Sequence, residues 1–166
     1  MTQTVTRDSL LAAIRRAYGS LSDPDYSFVS SPPSERYQQI VARLRRSFHV
    51  VETTDFNDDV SLRYLIEAGK RQWSLALSLV GPYAVLLRLQ DPETPELVSE
   101  GDPPTDSAER ALLAELREAG VSLLDSRLLE EPIAMQLPDA DDDEPVLIYH
   151  AVVGDDPLLP WRSSPI

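Results

Sequence analysis

The chain has 166 residues, no cysteine and a net charge of −13. That length suits a single domain with a core large enough to need no staples. The absence of cysteine excludes disulfides, thiolate metal ligands and cysteine nucleophiles, and the acidity argues against nucleic acid as a direct ligand, because phosphates require a basic footprint. The charge is unevenly placed: residues 1–90 carry 11 Lys and Arg against 9 Asp and Glu, and the remainder carries 4 against 19. A skew of this kind speaks to partners and solubility rather than to fold. The N-terminus has no apolar run behind Arg7, and no stretch approaches the roughly 20 apolar residues of a membrane helix. The expectation is a cytoplasmic protein with no membrane partner.

In chain order, Thr6 or Asp8 caps a first helix. Its apolar positions are Leu10, Leu11, Ile14 and Tyr18, and Gly19 is its stop. The segment Leu21 to Ser31 reads as a loop. Ser31 followed by Pro32 reads as the start of a second helix running to about Ser47. Tyr37, Ile40, Val41, Leu44 and Phe48 form its apolar stripe. Arg43, Arg45 and Arg46 in its last turns complement the helix dipole, which explains them without an anion site. A short β-branched run, His49 to Thr53, is a further strand candidate, and Asp55 to Asp59 reads as a turn-rich loop.

Val60 to Gln90 reads as an antiparallel meander. Val60, Leu62, Tyr64 and Ile66 alternate with smaller or polar neighbours, as do Trp73, Leu75, Leu77 and Leu79, and then Tyr83, Val85, Leu87 and Leu89. These larger residues are expected to share one apolar face. Residues 91–104 read as an acidic, proline-rich loop without regular structure. Asp106 then caps the strongest helix signal, with Glu109 three residues on as a capping-box partner, Leu112, Leu113 and Leu116 as the apolar side, and Gly120 as the stop. This helix is expected to cover the large-residue face of the meander. Val121 to Leu124 is a short strand candidate, and Asp125 caps a helical turn before Pro132. Ile133 to Leu137 and Val146 to Val153 read as strands, the latter apolar on both sides and so interior. Residues 138–145 read as a second acidic loop. The whole predicts a single-domain α+β fold, an antiparallel meander covered by helices.

Candidate chemistry is sparse. Asp139, Asp141, Asp142, Asp143 and Glu144 form the densest charge cluster. An EF-hand loop starting at Asp139 needs glycine sixth and glutamate twelfth, where this chain has Glu144 and His150. The cluster therefore reads as a solvated loop, and no metal is expected. The two histidines, His49 and His150, are not placed together by any pattern, and His150 reads as a core residue. There is no Gly-x-Ser-x-Gly elbow and no glycine-rich phosphate loop, so no catalytic residue and no cofactor is nominated. Trp73 reads as core. Trp161, between Pro160 and Arg162, reads either as packed on the domain or as a surface anchor for a protein partner.

The run Gly120 to Ile133, after a leucine-rich helix and before Val146 to Tyr149, resembles the C-terminal half of small bacterial immunity proteins that neutralise polymorphic or contact-dependent toxins. The resemblance spans Ala108 to Asp155 and carries no catalytic residue. It implies a cytoplasmic inhibitor that binds one cognate toxin. Separately, the charge skew points to a basic protein partner, such as a toxin domain, met by Asp139, Asp141, Asp142, Asp143 and Glu144, with Trp161 as the anchor. The runner-up is an acidic α+β domain like a secretion chaperone, which binds an effector. The third reading is an enzyme or ligand-binding domain with no identifiable site.

Overall fold

A computed structural model describes residues 4–90, 94–137, 145–156 and 158–162. It shows an α+β fold built on a six-stranded, mostly antiparallel sheet. Helix α1 (Arg7–Tyr18) opens at Thr6, whose hydroxyl accepts from the Ser9 N–H, and ends at Gly19 with φ 74°. A 3-10 turn (Ser27–Ser30) leads to α2 (Glu35–Ser47). The cap of α2 is Ser34 rather than Ser31, because the Ser34 hydroxyl receives the Tyr37 N–H, leaving Pro32 and Pro33 in the approach. The expected stripe of α2 is buried throughout, from Tyr37 to Phe48.

Strand β1 (His49–Glu52) lies at one edge of the sheet and pairs with β2 (Ser61–Ala68). The meander continues through β3 (Arg71–Ser78) and β4 (Tyr83–Arg88). The segment expected to be wholly irregular contains a short strand, β5 (Glu96–Val98), which pairs with the far half of β4 and buries Val98. Helix α3 (Ser107–Glu118) follows. Strand β6 (Ser122–Leu123) then adds parallel to Tyr83 and Ala84, on the half of the same β4 edge that β5 leaves free.

Two expectations are corrected: Val60, expected beside Leu62, lies on the opposite face, and β4 takes the other phase. Leu62, Tyr64 and Ile66 stand opposite Leu77, Leu75 and Trp73, as expected, but Leu77, Leu75 and Trp73 stand opposite Ala84, Leu86 and Arg88 on β4. Tyr83, Val85 and Leu87 therefore face the other way. Strand β4 is apolar on both sides, so alternation alone could not fix its phase. The face bearing Trp73 packs beneath α2 and α3 in one core, which includes Ile40, Leu44, Leu112 and Leu116. The opposite face, with Val60, Ala76 and Val85, packs against α1 and the C-terminal segments in a second core.

Those segments are α4 (Ser126–Leu129), capped by Asp125 as expected, and α5 (Ile148–Val152). The interior strand expected at Val146 to Val153 is thus a helix. Most of its residues are buried, and a short, largely apolar run reads alike as buried strand or buried helix. The local decision lies with His150, whose Nδ1 accepts the Leu147 N–H at 3.0 Å and so caps the turn. Ile133 to Leu137 forms no strand either. Ile133 donates to Val146 O at 2.8 Å beside an isolated bridge from Pro132 to Leu147, and Met135 and Leu137 sink into the second core.

The double-sided packing sets a graded response to truncation. Leu75→Ala, at a fully buried position facing α2 and α3, should cost about 2–5 kcal/mol through lost burial and a residual cavity. Ser74→Ala, its partly exposed neighbour on the other face, should cost under about 0.5 kcal/mol. Urea denaturation of both variants measures the difference, and equal losses would contradict the register.

Candidate functional site

Of the residues nominated for partner binding, Asp139, Asp141, Asp142, Asp143 and Glu144 lie outside the described residues. Trp161 is half-buried. Its ring meets Tyr149 edge-on, with centroids 5.6 Å apart, at the border of the second core. Its Nε1 is buried without a hydrogen-bond partner among the described residues. The ring also lines an open cavity of about 550 Å³ with Arg88, Glu96, Ser99 and Asp102. Trp161 is therefore a packed residue with one accessible side.

The structure brings together two charge clusters that alternation and capping rules did not reveal. The first centres on Glu109, whose side chain is 0% exposed. Asp106 caps α3 by accepting the Glu109 N–H at 2.8 Å, but the Glu109 side chain does not return to the cap residue. It turns into the core instead. Arg88 Nε and Nη2 donate to its two oxygens at 2.8 and 2.5 Å, a bidentate pair. Trp73 Nε1 donates at 3.0 Å, and Thr105 contributes its hydroxyl at 3.2 Å and its N–H at 3.3 Å. Arg71 reaches the same carboxylate at 3.4 Å and lies 5.3 Å over the Trp73 ring. Burial alone would raise the Glu109 pKa, but the bonds from Arg88 and Trp73 outweigh it and hold the carboxyl down at about 2. Arg88 is raised above its ordinary value chiefly by the same bond. This carboxylate is permanently charged near neutrality and has both oxygens occupied, so it is suited to holding β3, β4 and α3 together rather than to moving protons.

The second cluster joins β2 to the C-terminus. Arg63 Nη2 meets Asp59 at 2.8 Å and Asp156 at 2.7 Å, and the Tyr149 hydroxyl donates to Asp156 at 2.5 Å. Burial raises the Asp59 pKa despite the Arg63 charge, and burial together with Asp156 raises that of Tyr149. Gly154 lies against this cluster: a Cβ there would stand 2.7 Å from both Arg63 Nη2 and Asp59 Oδ1. His150 belongs to the same region. Since Nδ1 accepts from Leu147, Nε2 carries the proton and donates to Asp156 O at 3.1 Å. It is an intramolecular tie. His49 sits apart from it, exposed on β1. Among the described residues no three His, Cys, Asp or Glu side chains gather as metal ligands. No described helix is long and apolar enough to cross a membrane.

One signal for Glu109 was present in the sequence. It precedes Leu112, Leu113 and Leu116 at helical spacing, so it occupies the apolar stripe of its own helix. Comparison with protein-family models, curated proteins and solved structures gives no match to this chain.

Two outcomes follow from the clusters. The depressed Glu109 pKa means its ionised form favours the fold, so its contribution is complete above the ordinary value of 4.5 and is lost as pH falls towards about 2. Stability measured across that window should fall less steeply in Glu109→Gln, which should also be destabilised near neutrality by about 3–5 kcal/mol because Arg88 loses its buried charge partner and keeps only the exposed Glu96. Gly154→Ala should cost about 1–3 kcal/mol by forcing Arg63 and Asp59 apart. A melting temperature equal to the parent's would show that the segment yields freely.

Proposed function

We propose that the protein is an acidic binding protein that inhibits a basic protein partner, in the manner of an immunity protein against a toxin domain. The observation that carries this reading is where the positive charges of the first ninety residues go. Arg7, Arg43, Arg63, Arg71 and Arg88 are all paired with acids beyond residue 90, namely Glu131, Glu115, Asp156, Asp106 and the pair Glu96 and Glu109. Much of the basic complement is thus neutralised within the molecule. The excess acid stays outside: Glu100, Asp102, Glu118 and Asp155 are exposed, and the segment from Asp139 to Glu144 adds five more carboxylates in sequence. A surface of one sign raises the association rate with a partner of the other sign.

The secretion-chaperone reading shares this charge argument. Its pattern ends in paired strands, whereas the last regular element among the described residues here is α5.

The partner is to be captured from native lysate and its association followed by surface plasmon resonance. Changing Asp139, Asp141, Asp142, Asp143 and Glu144 to Asn and Gln should slow association about fivefold or more at low salt and flatten its salt dependence, with a smaller change in dissociation. An unchanged association rate means that these acids serve solubility alone. A captured protein that is toxic when expressed alone and harmless with this chain supports the inhibitor. One that is harmless alone and exported supports the chaperone.

A further inference from the structure

Strand β1 has β2 on one side and no strand among the described residues on the other. Thr53 N–H donates to Arg63 O at 2.8 Å, continuing the β1–β2 ladder. In an antiparallel ladder bonded and non-bonded pairs alternate. His49 and Val51 therefore turn their backbone groups towards β2, and Val50 and Glu52 turn theirs outward. No described residue bonds those outward N–H and C=O groups. Edge strands are ordinarily blunted by short length, charged side chains, proline, a bulge or a covering element. β1 is short and ends in the charged Glu52, but it has no lysine or proline, its register with β2 is continuous, and Val51 is 40% exposed.

We infer that a second copy of this chain occupies this edge, pairing β1 with β1 antiparallel about a two-fold axis through Val51. The charge order of the chain argues for a copy rather than an unrelated strand. Exposed Arg45 and Arg46 lead into β1, and exposed Glu52, Asp55 and Asp58 lead out of it. A two-fold axis normal to the sheet sets the basic entry of each copy beside the acidic exit of the other, twice over. It also keeps the covered faces of the two sheets on the same sides, so one sheet continues through both copies. Only a register that pairs Val50 with Glu52 of the other copy uses all four outward groups. That register places the two exposed Val51 side chains face to face as a non-hydrogen-bonded pair, and His49 opposite Thr53. The inference is independent of the proposed inhibitor function, since it rests on the backbone of β1 and not on the acidic segments.

Sedimentation of the full chain from micromolar to millimolar concentration should show a monomer–dimer equilibrium. Glu52→Pro removes one outward N–H per copy and alters an exposed side chain, so it should weaken the dimer about tenfold or more while the thermal melt of the monomer stays close to the parent's. The chain has no cysteine, so single cysteines report the register directly. Val51→Cys should oxidise to a covalent dimer, because directly opposed Cβ atoms in such a pair are roughly 4.5–5.5 Å apart, near disulfide reach. His49→Cys, equally on the edge but facing Thr53, should form no covalent dimer under the same oxidation. The inference is overturned by a chain that stays monomeric throughout, by a dimer indifferent to Glu52→Pro, or by His49→Cys cross-linking as readily as Val51→Cys.

Discussion

A single carboxylate organises the centre of this molecule. Glu109 enters the core from the first turn of α3 and meets Arg88 from β4 and Trp73 from β3. A buried charge without partners is very unfavourable, so this arrangement is all-or-none. Helix α3 can settle on the sheet only in the one position that brings Glu109 to Arg88, and β4 can take only the phase that turns Arg88 inward. The apolar residues around the pair would tolerate several placements. The ion pair selects one of them, acting as a register pin in a core otherwise built of interchangeable leucines and valines.

The same argument separates what was legible in the sequence from what was not. The meander, the stripe of α2, the cap at Asp106 and the burial of Trp73 follow from periodicity and local hydrogen bonding, which are properties of neighbouring residues. The phase of β4 does not, because both of its sides are apolar and the choice rests on a partner 21 positions away. The helix at Ile148–Val152 was hidden for a related reason. A run buried on most sides carries no clear period, and a side chain rather than an apolar pattern decides it, through the bond from Leu147 to His150. Arg63 was read as a polar alternate of its strand. Its role depends on Asp156, 93 positions on, which no local rule connects to it.

The charge skew between the two parts of the chain gains a second meaning from these contacts. Arginines of the earlier part and acids of the later part pair repeatedly across the structure, so part of the asymmetry is structural. What remains on the surface is a net excess of acid, carried mainly by loops and helix exteriors. Binding and stability thus draw on the same pool of carboxylates but on different members of it. The carboxylates of Glu109 and Asp59 are buried, whereas those of Glu100, Asp102 and Glu118 are free to meet another molecule.

The attachment of the C-terminal segment to β2 has a consequence for synthesis. Val60 N–H and the Ser61 hydroxyl both donate to Val153 O, at 3.0 and 2.8 Å, and the Tyr18 hydroxyl donates to Ala151 O at 2.7 Å. The second core cannot close until these late residues have left the ribosome. While the intervening stretch is translated, the side of the sheet bearing Val60, Ala76 and Val85 lacks its C-terminal cover. Pairings this distant in sequence also slow folding, because a long loop must be closed before any of the bonds forms. The nascent chain therefore passes through a half-covered stage before its last acidic segments emerge, and that stage is the one open to association through the uncovered face.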